Sequence, residues 1–229
     1  MSTQNEAKTP VLIVGAGPTG LVLALSLSRR GAAFRIVDEK EGPGAHSRAM
    51  VVQARTLEFY RQFGFADEVI EGGVKVNAAH LREGGQHGSG REILRLRFAD
   101  LGKHLSPYTF PLAYPQDDHE RLLVKKLEET GVHVEWNTKV TSFEQNGEGV
   151  TATIIRNDAT TEAINAGYIC GCDGGHSVVR EQLGIGFSGG TYPQLYYVAD
   201  VRLSRGFEPD LVMKSGGEEF CLAAASGFS

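Results

Sequence analysis

The chain has 229 residues, 41% of them hydrophobic, and a formal net charge of −5 at neutral pH. That is enough to bury one sizeable core, or about one and a half domains. The mixed, slightly acidic charge excludes the basic stripe of a nucleic-acid surface, and three cysteines (Cys170, Cys172, Cys221) make neither an even disulfide framework nor a two-pair metal spacing, so a reducing cytoplasm is the expected setting and no metal site is read.

Residues 1–9 read as a disordered leader. The apolar stretch VLIVGAGPTGLVLALSLS has only Lys8 before it, and its glycine-proline turn splits it into a strand and a helix too short to span a bilayer. Neither a signal peptide nor a membrane span is expected. Residues 11–14 predict a strand, Gly15, Gly17 and Gly20 a tight turn, and the helical pattern continues to Gly31. Gly15 allows the turn, Gly17 lets the backbone approach a pyrophosphate, and Gly20 lets the helix pack close to the strand. The turn continues through Pro18 and Thr19 into a helix N-terminus, whose N–H groups suit phosphate. Residues 34–37 predict a second strand, and Asp38, followed by Glu39, ends it eighteen residues after Gly20 (38 − 20). An acid there can accept both hydroxyls of an adenosine ribose and disfavours a phosphorylated one, which points to FAD or NAD before NADP.

In "RAMVVQARTLEFYRQFGFADEVIEGG", Leu57, Tyr60 and Phe63 recur at helical spacing up to Gly64, and a shorter helix reaches Ile70. Between 74 and 110 the character changes: in "ILRLRFADL" Leu94, Leu96 and Phe98 alternate with Arg95 and Arg97, which predicts strands with one wet face in a second sheet. "PLAYPQDDHERLLVKKLEET" resumes a helical period with Leu122, Leu123, Val124 and Leu127, stopping at Gly131. "VHVEW" reads as a strand carrying the single tryptophan, Trp136, expected to pack. "KVTSFEQNGEGVTATII" predicts a hairpin turning at Asn146-Gly147. "GYICGCDGG" reads as a buried strand ending in a second glycine-rich turn, "SVVREQLG" as a short helix closing at Gly184, and the remainder as sheet again. The fold class is α/β: a Rossmann-like nucleotide domain (10–75 and 111–185) with part of a β-sheet domain inserted (76–110 and 186–229).

With both glycine turns in view, the chain resembles the FAD-dependent aromatic hydroxylases, the single-component flavoprotein monooxygenases related to p-hydroxybenzoate and phenol hydroxylases, over roughly residues 10–202. Gly15, Gly17, Gly20 and Asp38 match the first FAD motif of that family. "SRAMVVQARTLEFYRQFG" is similar to its arginine-bearing segment, which implies Arg48 near the flavin edge and pyrophosphate. "YPQDDHERLL" resembles its Pro-Gln segment, which implies Gln116 beside the ribityl chain, with Arg121 in the supporting helix. "GCDGGHSVVREQLGI" matches the middle motif, which implies Asp173 and Gly174 near FAD and the pyridine-nucleotide route, with Ser177 and Arg180 holding the turn. The two sheet segments would then belong to a substrate domain.

Structural alternatives stand beside these assignments. Arg48 could cap its helix, Gln116 could be a ligand-free helix start, Asp173 an ordinary turn-former, and His46 and His176 solvated loop residues. Trp136 as a packing residue counts against a flavin-dependent halogenase. The resemblance implies FAD, reduced by NADH or NADPH, with dioxygen, hydroxylating a phenolic or polyketide-like aromatic substrate, the protein positioning the ring and excluding water. No catalytic residue is assigned. The family's third motif, a Gly-Asp stretch, has no counterpart here. The chain is therefore expected to be a truncated hydroxylase, a short homologue or homo-oligomer, or a non-catalytic nucleotide-binding module; another FAD or NAD oxidoreductase is the remaining alternative.

Overall fold

The first apolar run becomes β1 (Thr9–Val14), and the glycine turn leads into α1 (Pro18–Arg29) and then β2 (Phe34–Val37). These come from a computed structural model that describes residues 9–44, 51–83, 91–190, 211–216 and 219–223. Pro18 is well suited to the first position of α1, since its missing N–H would find no partner in the helix. The helix closes beyond Arg29, where Gly31 takes a left-handed φ of 66° and Ala32 N–H donates to Leu27 O.

By its internal contacts the chain divides into two compact units, residues 1–45 with 120–195, and 46–119 with 196–229. The first contains a five-stranded sheet in the order β2, β1, β10 (Thr161–Gly171), β9 (Gly149–Arg156), β8 (Thr138–Asn146). β1 runs parallel to both β2 and β10, while β8, β9 and β10 form an antiparallel meander. Leu12, Val14 and Val37 pack with Val140, Ala152, Ile154, Ile164, Ala166 and Val179 into one core. Alternation turns Ile13 to the opposite face, and α1 packs along β1 and β2 with Leu21, Ala24 and Leu25 buried.

Local pattern and structure part company at three places in this unit. "VHVEW" is not a strand of its own: Glu135 bridges Val37, but Asn137 then takes a left-handed φ of 53° and the segment turns off into β8. The hairpin between β8 and β9 forms, yet its loop residues are Gly147 and Glu148, one step later than expected, because Asn146 still pairs with Gly149. Its side-chain oxygen accepts the N–H groups of Glu148 and Gly149. β10 also begins well before the expected run and is not fully buried, with Tyr168 72% exposed.

A four-membered charge cluster ties the connecting segment to the sheet. Arg35 on β2 makes a two-toothed pair with Glu135 at 2.6 and 2.7 Å and reaches Glu162 at 3.1 Å, and Arg156 bonds the same two carboxylates at 3.0 and 2.9 Å. Burial pushes the Glu135 carboxyl up, but hydrogen bonds and charge from Arg35 and Arg156 outweigh it and leave it below the usual carboxylate range. Glu162 is held low by its hydrogen bond to Arg156 first and by Arg35 second.

The second unit carries α2 (Ala54–Phe63), α3 (Ala66–Gly72) and α4 (Phe98–Leu101) with two sheets. One is β3 (Val51–Val52), β7 (Leu112–Ala113), β4 (Val74–Lys75); the other is β12 (Glu219–Ala223), β11 (Leu211–Gly216), β5 (Ala78–Glu83), β6 (Glu92–Arg97). The second sheet forms, but β6 lacks the expected dry face, for all six of its residues are exposed. Gly64 ends α2 with a left-handed φ of 88°. Tyr60 lies buried against Phe65, and its hydroxyl meets His119 Nε2 at 2.7 Å. The division falls within α5 (Gln116–Glu128), whose first four residues count with this unit. Among the described residues no helix is long and apolar enough to cross a membrane.

Candidate functional site

The two glycine turns, far apart in sequence, lie against each other. β1 and β10 run parallel and end together, and Cys172 N–H donates to Val14 O at 2.7 Å, so the turn after β10 begins beside the turn after β1. Gly15 takes a left-handed φ of 101°, and a β-carbon there would overlap the carbonyl oxygen of Cys172 and come within 2.8 Å of Asp173 N. A β-carbon on Gly20 would overlap the Gly15 carbonyl oxygen. Both glycines are therefore demanded by the packing of the turn itself.

Gly17 is different. It caps α1 in an extended conformation with φ −72°, no side chain caps the first turn, and a β-carbon on it would meet nothing within 4 Å. The space over this helix end is open. An anion arriving there meets backbone rather than side chains, which suits the diphosphate of a dinucleotide. Thr19 is exposed beside it.

The acids of both turns face inward. Asp38, 8% exposed, accepts Ala16 N–H on Oδ2 at 2.7 Å and Lys40 N–H on Oδ1 at 2.9 Å. Asp173 accepts the Ser177 hydroxyl on Oδ1 at 2.5 Å, and Val179 N–H approaches Oδ2 at 3.4 Å. Ser177 in turn accepts Arg180 N–H at 3.0 Å and caps α6 (Val178–Gln182). Arg180 donates to Gly175 O at 2.8 Å and lies over the Phe187 ring, so one side chain links the turn to the segment beyond α6. Gly174 is left-handed with φ 80°. Burial pushes the Cys172 thiol up to about 11, with Cys170 and Asp173 adding to the shift, so it stays a thiol at neutral pH.

Of the residues singled out from the sequence, Gly15, Gly17, Pro18, Thr19, Gly20, Asp38, Asp173, Gly174 and Arg180 come together in the first unit. Glu39 is exposed at the end of β2 and pairs with Lys139 at 3.0 Å. Gln116 opens α5 and belongs to the second unit. Arg48 and His46 lie outside the described residues, and His176 is exposed. One residue escaped the sequence reading: Glu120, 4% exposed, accepts Gly44 N–H at 2.8 Å and so holds the loop that follows β2. Its signal was an acid at i on a helical stripe completed by the fully buried Leu123 and Leu127 at i+3 and i+7.

Known proteins are similar to this chain in sequence and in fold. The chain is 36% identical over 206 residues to 6-methylpretetramide 4-monooxygenase of Streptomyces rimosus, a match covering 87% of this chain and 35% of that protein. It is 34% identical over 193 residues to pentachlorophenol 4-monooxygenase of Sphingobium chlorophenolicum, covering 83% and 34%. Among solved structures, the flavin-dependent monooxygenase PieE in complex with FAD and substrate superposes with a TM-score of 0.73 at 31% identity, over 81% of this chain and 33% of PieE. A ternary complex of aklavinone-11 hydroxylase with FAD and aklavinone gives 0.71 at 30% identity, over 81% and 36%. The chain thus spans about a third of the length of the curated relatives named here. The FAD binding domain family matches it from residue 8 to residue 216, nearly its whole length, and the chain belongs to that family.

Proposed function

We propose that this chain holds FAD for an NADH- or NADPH-dependent monooxygenase that hydroxylates a phenolic or polyketide-like aromatic substrate with dioxygen. The observation that carries the reading is the abutment of the two glycine turns beside the open helix end at Gly17. The names of the relatives, monooxygenases of a chlorophenol and of aromatic polyketides, support the substrate class.

FAD when bound supplies the redox chemistry and the activation of oxygen. The chain's part is to hold and orient it. The backbone from Gly17 to Gly20 would take the diphosphate at the N-terminus of α1, with Pro18 and Thr19 bordering it, and Asp38 and Glu39 would lie on the adenosine side at the end of β2. The Asp173-Gly174 turn, braced by Ser177 and Arg180, would flank the diphosphate from the β10 side. By the family resemblance Arg48 and Gln116 would serve the flavin end.

A visible absorption spectrum of the purified chain, before and after FAD and then under anaerobic NADH or NADPH, tests the reading. A flavin band retained through gel filtration and bleached by either nucleotide supports it. FAD that binds but resists both reductants would favour a non-catalytic nucleotide-binding module, and no retained FAD would count against the site.

A further inference from the structure

We infer that Glu120 is a positioning residue for the nucleotide: from α5 its carboxylate pins the loop after β2 at Gly44, so that the adenosine side of the site is ordered before any ligand arrives. This deepens the FAD-binding reading and rests on it. The loop begins at the strand end that carries Asp38, and its near end is fixed by Asn137 N–H, which donates to Lys40 O at 2.7 Å. Its far end is fixed by Gly44 N–H, which donates to Glu120 Oε2 at 2.8 Å. Between the two anchors lie Glu41, Gly42 and Pro43. Proline has no N–H to give and glycine has the most backbone freedom to lose, so this stretch depends on its ends for order.

The contact is shaped from both sides. Glu120 is 4% exposed, and an acid is rarely buried that far without a polar group to hold. Its helix is itself anchored, with Leu123 and Leu127 fully buried on the same stripe, so the carboxylate is a fixed point. On the loop, a β-carbon at Gly44 would come within 3.1 Å of Glu120 Oε2, tighter than ordinary contact, so the lack of a side chain gives the carboxylate room to reach the N–H. Ordering a loop on binding lowers a ligand's affinity, and a loop held in place beforehand removes that loss. Glu120 acts without touching the ligand, through Gly44 and the backbone that runs back to Asp38.

Amide hydrogen exchange, with ADP and FAD titrations, on the wild-type chain, Glu120→Ala, Glu120→Gln and Gly44→Ala tests the inference. In the wild-type chain Gly44 should exchange more slowly than exposed Glu41. Glu120→Ala should speed exchange at Gly44, and weaken ADP and FAD, by about three- to tenfold. Glu120→Gln, whose amide oxygen still accepts the Gly44 N–H, should stay within about twofold of wild type on both readouts. Gly44→Ala keeps Glu120 and crowds it from the loop, so it should weaken both ligands, and Glu120→Ala added to it should lower affinity little further. A Glu120→Ala chain that melts earlier yet binds ADP as the wild type does would overturn the inference, for that is the mark of a residue serving the fold alone. So would a Glu120→Gln chain that loses as much as Glu120→Ala. If Glu120→Ala does not fold, Gly44→Ala decides, and unchanged ADP affinity there overturns the inference. A wild-type chain that binds neither ADP nor FAD, with slow exchange at Gly44, overturns the cofactor reading and the positioning role with it.

Discussion

Replacing Gly17 by valine separates a glycine kept for the fold from one kept for a ligand. Its φ of −72° is open to any residue, and a β-carbon there meets nothing within 4 Å. The cost to the folded chain is a poorer helix cap, about 1 kcal/mol, offset by about 0.4–1 kcal/mol from a less flexible unfolded state. Stability should therefore stay within about 1 kcal/mol, or about 2–4 °C in melting temperature. Binding is another matter. The valine side chain would occupy the approach of the diphosphate, and losing one or two charge-assisted backbone bonds at about 1.5–3 kcal/mol each weakens FAD at least about tenfold. Gly20→Ala is the control of opposite sense: its β-carbon overlaps the Gly15 carbonyl oxygen, so the turn must open, at about 3 kcal/mol or more. Thermal unfolding and a flavin-fluorescence titration on the three proteins decide the matter. A Gly17→Val chain that melts normally and binds FAD within threefold of wild type refutes the assignment of the turn.

Arg35→Met breaks a half-buried pair of carboxylate bonds and should cost about 1–3 kcal/mol in urea unfolding, whereas Arg55→Ala, which removes an exposed helix pair with Glu58, should cost no more than about 0.5 kcal/mol. The same cluster sets a pH dependence. Glu135 and Glu162 are depressed in the folded state, so their stabilisation is complete above the unfolded carboxylate range and is lost as pH falls below about 4; Arg35 and Arg156 stay charged throughout and add no slope. Wild-type and Arg35→Met stabilities should converge on acidification, and parallel curves would show that the cluster does not act as described. Ser177→Ala removes both the cap of α6 and a bond to Asp173, and a loss of about 1–2 kcal/mol by chemical denaturation is expected. Tyr60→Phe leaves His119 Nε2 without its buried hydroxyl, at about 1–2 kcal/mol, with α2 still folded by circular dichroism.

What could be read from the sequence was what local geometry dictates. Gly15 and Gly20 were legible because a strand, a tight turn and a helix in so few residues leave no room for side chains, and α1, β2, α2, α5 and the β8–β9 hairpin follow from periodicity and turn chemistry. Properties decided by a distant partner were not legible. The alternation in β6 predicts one dry face, but a face is dry only if something covers it, and all six residues are exposed. "VHVEW" has strand composition, yet a single bridge to Val37 and a left-handed Asn137 limit its pairing. The role of Asp38 shows the same division more sharply. Position in sequence places an acid at the end of β2, and position alone does not show that its carboxylate also accepts the N–H groups of Ala16 and Lys40. Likewise, the room that Gly15 lacks for a β-carbon is taken up by the backbone of Cys172 and Asp173, which follows a strand far away in sequence. The two glycine turns thus lie against each other, and the backbone that follows β10 leaves Gly15 no room for a side chain. Perturbing the Asp173 turn should therefore alter the environment of Gly15 and Ala16 even in the absence of any nucleotide.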